Sequence, residues 1–104
     1  MKIICWVNKK DENEIRKSSR EAHFSSTLED FDSNLTGGYP ALLSITKAVR
    51  YWKLIEKITQ NHPDSIFYFT EKIDSITYGE LFVQDGDNVY HPMSSLPTLL
   101  KIIP

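Results

Sequence analysis

Apolar side chains recur along this chain with two different periods, and the change between them falls at Pro63. Upstream of it the spacing predicts one long helix over residues 40–61. Gly37-Gly38-Tyr39-Pro40 supplies a turn followed by a proline suited to a helix first turn, where its missing N–H has no partner to lose. His62-Pro63 supplies the stop, because the residue before proline avoids the α region. At about 100° per residue, Leu42, Ile45, Ala48, Val49, Trp52 and Ile55 fall on one face. Leu43, Tyr51, Leu54 and Ile58 form a second apolar strip, and Thr46, Lys47, Arg50, Lys53 and Lys57 make a narrow cationic band beside it. A helix apolar over most of its circumference is expected to be buried on two sides.

Beyond Pro63 the period becomes two. Residues 66–69, 76–78 and 81–83 read as strands, with Gly79 at a bulge or close approach. Asp85-Gly86-Asp87-Asn88 reads as a hairpin turn, residues 89–91 as the returning strand, and Pro92 as its end. Ser94-Ser95-Leu96-Pro97 opens a short final helix carrying Leu99, Leu100, Ile102 and Ile103. At the other end, the β-branched and aromatic residues 3–7 read as a buried strand. Residues 9–34 are the least periodic. Asp11-Glu12-Asn13-Glu14 ahead of Ile15 favours a helix start, whereas Ser25-Ser26-Thr27 and Asp32-Ser33-Asn34 read as loops, with Leu28 and Phe31 turned to the core. A surface arm ordered by a partner is the alternative for this stretch. Successive short strands joined by tight turns imply antiparallel pairing. The expected fold is therefore α+β, an antiparallel sheet of about four to five strands packed on a long central helix, with a short C-terminal helix. Residues 1–104 are expected to form a single globular domain.

Composition narrows the function classes. The chain has 104 residues, 40% of them hydrophobic and 25% charged, an ordinary globular balance. Its single cysteine, Cys5, cannot close an internal disulfide and alternates with Ile4 and Trp6 as a small buried hydrophobe. No apolar stretch approaches the roughly 18 residues needed to span a bilayer, and residues 3–7 are too short for a signal-peptide core. A cytoplasmic protein with no membrane partner is expected.

Charge changes the picture more. The net value of -2 conceals a sorting by segment. Residues 1–39 hold six basic and seven acidic side chains, residues 40–62 hold four basic and one acidic, and residues 63–104 hold two basic and six acidic. The strand-rich half is acidic. It should repel phosphates and attract basic proteins, which argues against direct nucleic-acid binding. The helix cations are too few for a phosphate-tracking surface and read as a solvated edge.

Candidate chemistry is sparse. His23, His62 and His91 are far apart and have no histidine or cysteine one helical turn away, so no metal clamp is formed locally. His62 suits a helix C-terminus, where positive charge is favoured. His91 lies near Ser94 and could serve a small hydrolase or nuclease, with Ser94 or an acidic residue as its companion. Gly37-Gly38 lacks the Gly-Lys-Ser/Thr of a phosphate loop, and the stretch from Asp85 lacks the length and terminal glutamate of a calcium loop. No cofactor is implied.

In its size, charge sorting and helix-then-sheet layout the chain resembles the small bacterial toxin-immunity proteins, including those of contact-dependent growth-inhibition systems. The resemblance covers the whole length and rests on no signature motif. It implies a stoichiometric, monomeric inhibitor of a cognate toxin domain, many of which are nucleases with basic clefts. No residue is carried over from that family. The charge pattern itself points to Glu71, Asp74, Glu80, Asp85 and Asp87 as the groups opposing partner lysines and arginines, with Tyr78 and Tyr90 as aromatic anchors. An adaptor or structural subunit, joined to its complex through the Leu43, Tyr51, Leu54 and Ile58 strip, is the remaining alternative.

Overall fold

Ile3–Trp6 forms strand β1, and all four of its residues are buried because both faces of the strand are covered. The structure is a computed structural model that describes residues 2–70, 90–92 and 95–104. Asn8 ends the extended run and caps helix α1, Lys9–Lys17, its Oδ1 accepting the Asp11 N–H at 2.9 Å. Asp11 and Glu12 sit in the first turn and Arg16 and Lys17 in the last, the polarity that the helix dipole favours. Strand β2, Ala22–Phe24, comes next, and then helix α2, Leu28–Asn34, capped by Thr27, whose Oγ1 accepts the Asp30 N–H. Residues 9–34 are thus a helix, a strand and a helix, where a helix and loops were expected.

The single long helix expected over residues 40–61 does not form. Ala41–Leu43 is strand β3, fully buried on both faces. Helix α3, Ile45–Arg50, and helix α4, Trp52–Asn61, come after it and are separated at Tyr51, which leaves the helical region with φ −122° and ψ 28°. A strand covered on both faces reads as a continuous apolar run, and so short a run has no period that separates strand from helix. Gly37 and Gly38 do form the expected turn, both with positive φ. Pro40 opens the strand instead of a helix, its carbonyl accepting the Ile4 N–H at 2.9 Å. Strand β4, Phe67–Phe69, and helix α5, Leu96–Ile102, lie where the pattern placed a strand and a helix, and strand β5 is Tyr90–Pro92. The expected strands at 76–78 and 81–83 and the hairpin turn at 85–88 lie outside the described residues.

The sheet overturns the antiparallel expectation. Among the described residues five strands run in the order β2-β1-β3-β4-β5, and each pairing is parallel. Ile4 pairs with His23 on one side and Ala41 on the other, Leu42 pairs with Tyr68, and Tyr68 pairs with His91. Short turns cannot join parallel neighbours. Helix α1 makes the crossover from β1 to β2, α2 that from β2 to β3, and α3 with α4 that from β3 to β4.

Alternation along the strands divides the core into two layers. Ile4, Trp6, Ala41, Leu43, Phe67 and Phe69 pack with Phe31 and Leu35 of the α2 region and with Ala48, Ile55 and Ile58 of α3 and α4. Ile3, Cys5 and Leu42 pack with Ile15 of α1 and with Leu96, Leu99 and Leu100 of α5. Helices therefore cover both faces of the sheet, and no helix is its sole central support. Arg20 closes the second layer. Its guanidinium donates at 2.8 Å to each of the Leu100, Ile103 and Pro104 carbonyls, satisfying acceptors that the end of α5 leaves open.

Candidate functional site

The chain moves from β1 outward to β2 in one direction and to β3 in the other, so the strand order reverses between β1 and β3. In open parallel sheets such a reversal leaves a crevice beyond the carboxyl ends of the strands, and ligands bind there. Three hydroxyl residues lie along that edge, each one position past a strand: Ser25 after β2, Ser44 after β3 and Thr70 after β4. Their N–H groups extend the ladder to the carbonyls of Cys5, Trp6 and Leu43, and all three residues are buried.

At the reversal itself the protein fills the crevice with its own groups. Ser44 Oγ donates to Asp11 Oδ2 at 2.7 Å and accepts the Asn8 N–H at 2.7 Å. Because Asn8 also caps α1 through Asp11, the three residues lock the β1–α1 loop to the end of β3. Beside this lock lies an open cavity of about 400 Å³ lined by Trp6, Ser26, Thr46, Lys47, Arg50 and Tyr51. It spans the ends of three adjacent strands, since Ser26 lies past β2, Trp6 ends β1 and the rest lie past β3. Lys47 Nζ lies 4.9 Å from the Trp6 ring centre, and Tyr51 meets that ring edge-on at 5.6 Å. Among the described residues no carboxylate lines the cavity. Neither Lys47 nor Arg50 forms an ion pair among the described residues. Trp6 is only 6% exposed, and its indole N–H has no acceptor among the described residues.

A second feature adjoins the cavity. Val49 of α3, Tyr51 between the helices and Leu54 of α4 are 46%, 41% and 53% exposed, among exposed Arg50, Lys53 and Lys57; Glu29 and Asp32 of α2 share an open cleft with Leu54 and Lys57. This divides the expected interaction strip, for Leu43 and Ile58 are buried while Tyr51 and Leu54 face solvent. Val49, expected on the buried face, is exposed because α3 is a short separate helix and not part of one continuous spine.

His23 and His62 both serve α2. His23 Nε2 lies 2.9 Å from Asp30 Oδ2, and His62 Nε2 lies 2.6 Å from Asp32 Oδ1. His62 is also the C-cap of α4, in keeping with its place before Pro63. The hydrogen bond with His23 holds the Asp30 carboxyl below the usual carboxylate range. Cys5 is fully buried, which pushes its thiol up to about 12. Among the described residues no three histidine, cysteine or acidic side chains gather as a metal site.

Of the expected contact residues, Glu71, Asp74, Tyr78, Glu80, Asp85 and Asp87 lie outside the described residues, as do Ser94 and the side chains of Tyr90 and His91. The Tyr90 and His91 backbones lie in β5, opposite Phe67 and Tyr68. No helix among the described residues is long and apolar enough to cross a membrane. Comparison of the chain with protein-family models, with curated proteins and with solved structures finds no match.

Proposed function

We propose that this chain is a non-catalytic protein-binding domain whose α3–α4 face docks an acidic partner. The observation that carries this reading is the exposed apolar group Val49, Tyr51 and Leu54 set among Arg50, Lys53 and Lys57. Clustered exposed apolar side chains mark interaction surfaces, and tyrosine and arginine are favoured at their energetic centres. Residues 45–61 carry four cations against Glu56, an excess that favours acidic surfaces and speeds encounter with them, although Glu29 and Asp32 of α2 border the Leu54 end of the face.

The test begins by isolating partners from the source cell and reconstituting each complex from purified components. The expected partner is acidic, its affinity falls with added salt, and Leu54→Asp weakens it by at least about tenfold. An unchanged affinity in both Leu54→Asp and Lys53→Glu/Lys57→Glu would overturn the reading. So would self-association of this chain through the same face in sedimentation measurements.

A second reading, neutralisation of a basic toxin domain, is favoured by the acidic excess of residues 63–104. It places the contact on Glu71, Asp74, Tyr78, Glu80, Asp85, Asp87 and Tyr90. Reversal of Asp85 and Asp87 to lysine then abolishes binding, while Lys53→Glu/Lys57→Glu leaves it intact. The two readings thus give opposite outcomes with the same four substitutions.

A further inference from the structure

We infer that the cavity at the carboxyl edge of the sheet is a binding site for a phosphate-class oxyanion carried by a small molecule. This site does not depend on the docking face, although Arg50 and Tyr51 border both.

Four observations converge on it. The cavity lies beside the reversal between β1 and β3, the position where parallel sheets of this kind receive ligands. Its volume, about 400 Å³, falls within the range of small-molecule sites. Its polar lining is rich in donors and, among the described residues, holds no acid: the Lys47 ammonium, the Arg50 guanidinium and the hydroxyls of Ser26, Thr46 and Tyr51. Finally, Trp6 lines the cavity, and its indole N–H, which solvent does not reach, has no acceptor among the described residues.

The number of donors selects the ligand class. A carboxylate offers two oxygens, whereas a terminal phosphoryl group offers three, and these can be shared among an ammonium, a guanidinium and hydroxyls from separate segments. Lys47 and Arg50 lie three residues apart in α3, so both cations reach one side of the cavity, with Ser26 contributed from beyond β2. The Trp6 and Tyr51 rings form an apolar wall suited to the uncharged remainder of such a molecule.

The experiment titrates the full chain with inorganic pyrophosphate at constant ionic strength. It follows the two indole N–H resonances by nuclear magnetic resonance, with Trp52→Phe used only to assign them. Saturable binding that shifts the Trp6 indole signal is expected. Lys47→Gln/Arg50→Gln should weaken it by at least about tenfold, with an unchanged thermal midpoint as the folding control. Lys17→Gln/Lys101→Gln, in a separate basic groove formed with Glu14, Arg20 and Leu100, should bind as the wild type does. Leu54→Asp should also keep full affinity, so loss of the docking face and loss of this site are read separately. Shifts that never saturate would overturn the inference. So would equal affinity for citrate, unchanged binding in Lys47→Gln/Arg50→Gln, or loss of binding in Leu54→Asp.

Discussion

Two polar clusters lie side by side at the carboxyl edge of the sheet, and they differ in whether their hydrogen bonds and charges are met within the protein. In the first, Ser44 joins the Asp11 carboxylate to the Asn8 N–H with two bonds of 2.7 Å, and Asn8 in turn caps α1. In the second, Lys47 and Arg50 have no acidic partner and the Trp6 indole N–H no acceptor among the described residues. The first cluster joins a loop to a strand. The second leaves an open cavity. Burying a polar group without a partner costs free energy, and of the residues with such a group among those described, Trp6 is the one that lines the cavity. The contrast separates polar residues that hold the fold together from those available to a ligand.

The largest effect is expected where the closed cluster is broken. Ser44→Ala leaves the buried Asp11 carboxylate and the half-buried Asn8 N–H each short of a partner, and should lower stability by about 2–3 kcal/mol in urea unfolding. A loss below about 0.5 kcal/mol would mean that the lock contributes no more than an ordinary surface contact. Thr70→Val provides the opposite case at the same edge. The Thr70 hydroxyl is buried without a partner among the described residues, so a side chain of the same shape without oxygen should leave stability within about 1 kcal/mol of wild type, on the stabilising side. If the two substitutions destabilise equally, the distinction between met and unmet hydroxyls along this edge fails.

Local pattern and distant contact also divide what is legible in the sequence from what is not. Strands at 3–6 and 67–69 and the final helix are legible because their apolar runs or alternation are local. The turn at Gly37 and Gly38 is legible because paired glycines suit the positive φ that both adopt. Ala41–Leu43 reads as helix because an apolar run covered on both faces carries no period. Ala22–Phe24 escapes notice because it is a three-residue edge strand, only partly buried, with a histidine at its centre. The parallel topology is hidden for a related reason: it is written in the crossover helices, and α2 is a seven-residue helix rich in loop-forming residues. The site is less legible than the fold. Lys47 and Arg50 stand out as a cationic edge, but Trp6 comes from β1 and Ser26 from beyond β2, and only the parallel crossovers bring them to the same cavity. The acidic contact residues at 71–87 remain a proposal drawn from charge alone.

Helix α2 extends the comparison into pH. His23 and Asn34 bond the Asp30 carboxylate, whose pKa is therefore lower in the folded chain than in the unfolded one. The unfolded chain then binds the extra proton first. The contribution of Asp30 is present above the ordinary carboxylate pKa and is lost as pH falls through the lowered folded value. Asp30→Asn should accordingly reduce stability at about pH 6 and have a shrinking effect as pH drops below about 4, measured as urea midpoints across the acid range. A difference independent of pH would show that the bonds, and not the charge, hold α2 in place.

The smallest effect on the free protein, and the sharpest for the comparison, concerns the open cluster. Lys47 and Arg50 are like charges three residues apart on one helix, with no carboxylate between them among the described residues. Their mutual repulsion destabilises the free protein by about 0.2–0.5 kcal/mol, while the Lys47 ammonium over the Trp6 ring returns a comparable amount. Lys47→Gln/Arg50→Gln removes both, so its thermal midpoint without ligand should stay at the wild-type value. Pyrophosphate should raise the wild-type midpoint alone, because a ligand that binds only the folded protein stabilises it in proportion to the logarithm of its concentration above Kd. Midpoints that stay equal with pyrophosphate would mean that the open cluster is solvated charge like the rest of the helix edge.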